Sequence, residues 1–325
     1  MSYEEYKKEL ETKKGINVAS HTDADGVYSL ALANLILDID NYIFPDKFGD
    51  YLNIPGDPTR GEESIPIDLA LDLGAPISEE YTNYVIDHHP HPDERKYKLI
   101  HMYVPTGLIL YNLWKDKIPK EKLWLVAGSL TGDGQPELIP EAVFGAVPSL
   151  LDRVGSIYKS YGKFKLYDYP LYLMLSSPIN ALCRIGNPLM AFKLAMSAKD
   201  PLDIIENPSA QDAKEVIRKE EDRIFKDDNS FYMLGSSVVL YKFNSKFGMT
   251  GLVASKLSGE NRDKTIVVVN ESTKSLSIRG HLADYLRRAL VANGFTVGGH
   301  AGYMGGELGK NQTIRDLIYA LRGIV

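Results

Sequence analysis

Ser20-His21-Thr22-Asp23-Ala24-Asp25-Gly26 lies between a short apolar run, Ile16 to Ala19, and the helix-forming stretch Val27 to Leu37. That order predicts a strand, a loop and a helix, with imidazole and carboxylate groups gathered in the loop. The pattern recurs downstream. Ile67 to Leu73 reads as a strand carrying Asp72, and Tyr84 to Ile86 as a strand running into Asp87-His88-His89-Pro90. Tyr42 to Phe44 adds another strand. Leu108 to Trp114 and Leu123 to Leu130 read as helices, the latter followed by Thr131-Gly132-Asp133-Gly134. Strands alternating with helices argue for a parallel α/β sheet. Ligands of such sheets bind outside the carboxyl ends of the strands, where Asp23, Asp25, Asp72 and Asp87 would converge.

Each cluster alone has an ordinary explanation. Asp23 or Asp25 can cap the helix that starts near Val27, and Asp72 and Asp133 each fit a turn beside glycine. Neighbouring histidines such as His88 and His89 are often surface residues. Four such positions in order, each following an apolar run and two including histidine, are not explained by turns. Carboxylates mixed with neutral imidazoles suit Mn²⁺, Mg²⁺ or Zn²⁺, and carboxylate-rich paired sites favour Mn²⁺ or Mg²⁺. His91 and His101 lack this context and read as surface or structural residues. Cys183 reads as a small core residue.

From Asp133 to Ser197 the pattern is helical with many interruptions. Asn207-Pro208-Ser209 breaks the chain before a charged helix, Ala213 to Lys226. Beyond it the composition changes to β-branched strand candidates at Ser237 to Tyr241, Thr265 to Val269 and Leu276 to Ile278. Helix candidates at Leu282 to Ala292 and Thr313 to Leu321 bracket a glycine-rich segment, Gly298 to Gly306. The expected organisation is a catalytic domain over 1–205, a linker helix over 206–229 and a smaller α+β domain over 230–325.

Composition narrows the class without choosing a partner. The chain has 325 residues, 44% of them hydrophobic and 25% charged, as in ordinary soluble globular proteins. The formal net charge of −6 leaves nucleic-acid binding to a local basic surface. One cysteine rules out an intrachain disulfide and a thiolate metal cluster. The first residues are charged and unlike a signal peptide. The apolar stretch Tyr28 to Leu37 is too short for a membrane span, which needs about 20 residues. A cytoplasmic protein is expected.

The ordered set His-x-Asp-x-Asp-Gly, Asp, Asp-His-His and Gly-Asp-Gly resembles the four motifs of the DHH phosphoesterase superfamily. Here it is carried by His21/Asp23/Asp25, Asp72, Asp87/His88/His89 and Asp133. The C-terminal Ser277-Ile278-Arg279 and Gly298-Gly299-His300 resemble the DHH-associated domain of RecJ-type nucleases, oligoribonucleases and cyclic-dinucleotide phosphodiesterases. His21 precedes Asp23 by two residues, a spacing similar to archaeal RecJ-like proteins, where bacterial members usually have four. Val297 stands where the glycine motif usually has its first glycine, and Tyr303 and Met304 where it usually has alanines.

The resemblance implies a parallel-sheet α/β domain and a smaller α+β domain, with the active site in the cleft between them. It implies two Mn²⁺ ions, or Mg²⁺, with Asp72 bridging. His21, Asp23, Asp25, His88 and Asp133 would be further ligands, and His89 and Asp87 would serve the chemistry. Arg279, Gly298, Gly299 and His300 would hold the substrate. The activity implied is 3′-5′ exonucleolytic cleavage of single-stranded DNA or RNA to mononucleotides. Alternatives are cleavage of short oligonucleotides, phosphoadenosine phosphate or a cyclic dinucleotide, and an inactive scaffold in a replication or repair complex. Expected partners are single-stranded nucleic acid or short oligonucleotides, a replication or repair protein, and a second copy of the chain.

Overall fold

The computed structural model describes residues 3–45, 53–55, 64–73, 82–91, 94–160, 163–226, 231–300 and 302–323. They form two compact units, one of residues 1–183 and 187–214, the other of 184–186 and 215–325.

In the first unit, α1 (Tyr3–Thr12) leads into β1 (Ile16–Ser20), α2 (Ala24–Ile36), β2 (Ile39–Ile43), β3 (Asn53–Pro55), β4 (Ser64–Leu71), β5 (Thr82–Asp87) and β6 (Lys98–His101). The sheet order is β2-β1-β4-β5-β6 with all these pairs parallel, and β3 adds to β4 antiparallel. The parallel α/β sheet expected from the alternation is therefore present.

Register is what assembles a site. Ser20 of β1 pairs with Leu71 of β4, and Leu71 pairs with Ile86 of β5. The next residues, His21, Asp72 and Asp87, consequently stand side by side at the carboxyl edge of the sheet. Backbone hydrogen bonds continue the alignment, His21 N to Leu71 O at 3.3 Å and Asp72 N to Ile86 O at 3.1 Å.

Ten residues in a row from Ala24 to Ala33 of α2 are buried, all but Asp25 and Ser29 of them apolar or glycine, so that the helix is enclosed on every side. It packs on α3 (Thr106–Trp114) and α4 (Trp124–Gly132). Tyr28 meets Trp124 edge-on, with ring centroids 6.1 Å apart, and its hydroxyl donates to Leu175 O at 2.9 Å. Gly132 lets α4 approach closely, since a Cβ there would lie 2.8 Å from Asp25 N.

After α5 (Glu141–Ala146) the structure departs from the helical reading of 133–197. Strands β7 (Arg153–Ser160) and β8 (Lys163–Pro170) pair antiparallel. The polar interruptions there, Lys163 and Lys165 around Phe164 and Leu166, are a two-residue alternation. The next helices are α6 (Ser176–Arg184), α7 (Pro188–Ser197) and α8 (Pro201–Ile205). Helix α9 (Pro208–Phe225) carries the chain from the first unit into the second.

The second unit comprises β9 (Phe231–Leu234), β10 (Val238–Phe243), α10 (Thr250–Glu260), β11 (Thr265–Asn270), β12 (Ser275–Arg279), α11 (Ala283–Ala292), β13 (Thr296–His300), β14 (Tyr303–Glu307) and α12 (Ile314–Arg322). Its sheet runs β13-β14-β12-β11-β10-β9, with only β10 and β11 parallel. Val267, Val269, Leu276 and Ile278 pack against Leu286 and Leu290 of α11 and Leu317 and Leu321 of α12. The glycine-rich segment is the β13–β14 hairpin: Gly298 and Gly299 lie within β13, and Gly305 and Gly306 within β14. No helix among the described residues is long and apolar enough to cross a membrane.

Candidate metal centre

The loop between β1 and α2 uses each of its motif residues twice. Asp23 is the N-cap of α2, its Oδ1 accepting from Gly26 N at 2.9 Å, while its Oδ2 meets His21 Nδ1 at 2.8 Å. One side chain therefore both caps the helix and joins the cluster. Gly26 is required by space, because a Cβ would lie 2.3 Å from the carbonyl oxygen of His21.

Asp25, in the first turn of α2, is buried and strongly held. Oδ1 accepts from Ser129 Oγ at 2.5 Å, Ser29 Oγ at 3.0 Å and Gly107 N at 3.2 Å, and Oδ2 from Thr106 N at 2.9 Å. The N-terminus of α3 is thus aimed at this carboxylate, a favourable dipole orientation. Oδ2 also lies 3.6 Å from His88 Nδ1.

Asp72 is 1% exposed and has φ of 58°, one of two non-glycine residues with positive φ among those described. Aspartate tolerates this left-handed region better than most residues, yet backbone in such regions costs about 1 kcal/mol or more and gathers at functional sites. Its Oδ1 lies 3.6 Å from both His88 Nε2 and His89 Nδ1, and its Oδ2 lies 3.9 Å from His21 Nδ1. Thr106 Oγ1 donates to Oδ1 at 3.3 Å.

Asp87 closes β5 and turns back on its own loop. Its Oδ1 accepts from His88 N at 2.7 Å, His89 N at 2.9 Å and His89 Nδ1 at 2.7 Å. Asp133, at the C-terminal end of α4, accepts from Gln135 Nε2 at 2.9 Å and lies 4.0 Å from His88 Nε2.

All eight motif residues of the first unit are joined by this chain of contacts. Two sets bring their donor atoms within 4.8 Å of one another, His21/Asp23/Asp72 and Asp72/Asp87/His88/His89. Asp72 belongs to both. Asp25 and Asp133 are in neither set and reach the cluster through His88.

The electrostatics are those of a site short of positive charge. Burial and the neighbouring Asp25 and Asp23 push Asp72 well above the usual carboxylate range. Burial is also the main force on Asp25, pushed up to about 6, and on Asp133, pushed up to about 7 with Asp25 and Asp23 adding repulsion. Burial opposes the proton on His21, but Asp23 outweighs it and raises the ring to about 9. Asp87 is held well below its ordinary value despite burial, because His89 faces it. Three crowded carboxylates that resist ionisation, interleaved with imidazoles, form a donor set that a divalent cation would satisfy.

In the second unit, Arg279 ends β12, opposite Tyr303 of β14, which pairs with His300 of β13. The Arg279 Nη1 donates to Ile278 O and Met304 O, each at 2.9 Å, and the guanidinium lies 5.0 Å from the centre of the Tyr303 ring. Its Nε is buried with no hydrogen-bond partner among the described residues. Burial pushes this guanidinium down to about 10. Gly299 has φ of 118°, and a Cβ there would lie 2.5 Å from Tyr303 O. The side chain of His300 lies outside the described residues.

Sequence reasoning missed three contributors. Ser129 and Thr106 look like unremarkable helix residues in sequence, and only packing turns them towards Asp25. His91, expected as a surface or structural residue, is not at the surface. Its side chain is 1% exposed, and Nε2 lies 3.1 Å from Asp87 Oδ2.

No family model and no curated protein matches this chain. Solved structures do. Exonuclease RecJ bound to manganese is 18% identical and superposes with a TM-score of 0.59 over 98% of this chain and 92% of that one. RecJ in complex with Mn²⁺ from Thermus thermophilus is 17% identical with a TM-score of 0.62. The match spans 98% of this chain and 53% of that one, so this chain spans about half of that protein. A pGpG-specific phosphodiesterase from Vibrio cholerae is 15% identical with a TM-score of 0.50, over 95% of this chain and 100% of the other. The fold is shared with these proteins.

Proposed function

We propose that this chain is a divalent-metal-dependent phosphodiesterase that shortens single-stranded nucleic acid from its 3′ end and releases mononucleotides. The observation that carries the reading is Asp72, a strained, buried carboxylate common to both donor sets. His21, Asp23 and Asp72 would hold one ion, and Asp25, Asp72, His88 and Asp133 the other, with Mn²⁺ favoured by the oxygen-rich set. When bound, such a pair polarises phosphorus and supplies hydroxide at neutral pH.

The protein groups have their own tasks. Asp87 fixes the His89 ring through Nδ1 and, against the effect of burial, raises its basicity. A proton held there suits a phosphate oxygen gaining charge. Arg279 offers a guanidinium whose Nε has no hydrogen-bond partner among the described residues, suited to a substrate phosphate. Gly298 and Gly299 and the motif residue His300 would complete that grip.

The test is to digest a 5′-labelled single strand in Mn²⁺ and in EDTA. A metal-dependent ladder shortening by one nucleotide supports the reading, whereas immediate release of labelled mononucleotide reverses the polarity. A second reading, cleavage of short or cyclic dinucleotides, is favoured by the match over the full length of the pGpG-specific enzyme. Rapid turnover of dinucleotides with no ladder would select it.

A further inference from the structure

We propose that His91 is a positioning residue for His89, acting through Asp87. This rests on the phosphodiesterase reading for its effect on rate, and on geometry alone for its effect on the His89 ring. The motif residues stop at His89, and neither the metal sets nor the substrate groups use His91.

Three contacts in series carry the inference. Tyr97 Oη and His91 Nδ1 are 2.8 Å apart, His91 Nε2 lies 3.1 Å from Asp87 Oδ2, and Asp87 Oδ1 lies 2.7 Å from His89 Nδ1. Asp87 is fully buried, the His91 side chain is 1% exposed, and Tyr97 is 5% exposed within a cluster that includes Leu73 and Val85. A carboxylate facing Nε2 sets the tautomer. In the tautomer this favours, with the proton on Nε2, Nδ1 is bare and the Tyr97 hydroxyl donates to it. Nδ1 is closer than Nε2 to a well-formed bond, since Nε2 makes no well-aligned hydrogen bond among the described residues. At 3.1 Å from Oδ2 the Nε2 edge of the ring is an electrostatic and packing neighbour of the carboxylate.

The consequence falls on His89. With the buried His91 ring packed against Oδ2, the carboxylate has less room to turn, and Oδ1 stays directed at the His89 ring and at the backbone amides of His88 and His89. Partners one shell beyond a working imidazole orient it, and their loss typically costs about 10–100-fold in activity or affinity. Pro90, between the two histidines, limits the backbone and helps hold both rings on one carboxylate.

The variants are His91→Leu, which removes the ring N–H, His91→Gln, whose amide can reach the Nε2 position, and Tyr97→Phe, which deletes one hydroxyl. For His91→Leu we expect kcat on a labelled single strand to fall about tenfold, with KM and Mn²⁺ stoichiometry unchanged. Gln should restore most of the rate, and Tyr97→Phe should show the same effect more weakly. In a His89→Ala background the His91→Leu effect should vanish. Independently of activity, the ¹⁵N shifts of the His89 ring in the Mg²⁺-loaded protein should move in His91→Leu and return in His91→Gln.

Unchanged His89 shifts in His91→Leu overturn the proposal, as does a full effect in the His89→Ala background. Should His91→Leu fail to fold, Tyr97→Phe carries the same readouts, and unchanged shifts there overturn it equally. A wild-type protein that cleaves no phosphodiester would sink the proposed function, while the ¹⁵N comparison would still decide the role of His91.

Discussion

Ser129 Oγ donates to Asp25 Oδ1 at 2.5 Å, tying α4 to the first turn of α2 at the carboxylate of the first motif. Burial drives the Asp25 pKa upwards and this bond is the largest counterweight. Ser129→Ala removes the counterweight, leaving Asp25 harder to ionise and so a poorer cation ligand. Mn²⁺ affinity near neutral pH should fall by about tenfold, the scale of such supporting interactions. Calorimetric titration checks it, and an unchanged affinity would show that Asp25 is not part of the metal site.

Asp72 separates stability from function. Without metal its charge is disfavoured by burial and by Asp25, Asp23, Asp87 and Asp133. Asp72→Asn removes that charge while keeping a residue that tolerates a φ of 58°. The metal-free variant should melt higher than the metal-free wild type, and metal-dependent cleavage should fall by at least about a hundredfold. A variant that melts lower and retains most activity would contradict the bridging role.

The pH dependence follows from the same crowding, with the sign set by which state binds more protons. Burial raises Asp25 to about 6 and Asp133 to about 7, and raises Asp72 as well. Unfolded aspartates titrate at about 4. Between about 4 and 7 the folded chain therefore holds more protons, and metal-free stability falls as pH rises. His21 acts in the same sense at higher pH. Burial opposes its charge but Asp23 prevails, so its contribution is complete below about 6.5 and lost towards about 9. Asp87, depressed despite burial by His89, contributes above about 4 and loses it in acid. Cations replace the bound protons. The gain in Tm on adding Mn²⁺ should widen between about pH 5 and pH 7.5, and a gap that stays flat would argue against these carboxylates as ligands.

The parallel sheet was legible in the sequence, and so was the gathering of the motif residues at its carboxyl edge. His21, Asp72 and Asp87 were legible because each follows an apolar run, and parallel register places such positions together. Asp23 needed no choice between capping the helix and meeting His21, since its two oxygens do one each. Ser129, Thr106 and His91 stayed hidden because they gain their roles from packing between distant segments. The β7–β8 pair was obscured by lysines that interrupt an apolar pattern. In the β13–β14 hairpin, glycine leaves no side-chain period to read.

His88 and His89 are adjacent yet differently engaged, which predicts separable defects. His88 is buried and lies within 4.0 Å of Asp25, Asp72 and Asp133, whereas His89 Nδ1 is taken by Asp87 at 2.7 Å. His88→Ala should weaken Mn²⁺ binding, and His89→Ala should chiefly slow single-turnover cleavage at saturating metal. Equal losses of metal affinity in the two variants would count against the division.

Arg279 supplies the prediction for the second unit. Its Nη1 already serves two carbonyls, so Arg279→Ala would leave Ile278 O and Met304 O without that donor and cost about 1–3 kcal/mol of stability. That makes alanine a poor probe of substrate binding. Lysine keeps a charge but lacks the planar fork that matches phosphate oxygens. Arg279→Lys should therefore raise KM for a labelled single strand by about tenfold, with kcat and Mn²⁺ affinity near those of the wild type. Steady-state kinetics beside a metal titration separates the cases. A fall in kcat at unchanged KM would move Arg279 from gripping the strand to acting on the reacting phosphate. An unaltered kcat and KM would leave it as a structural partner of β14.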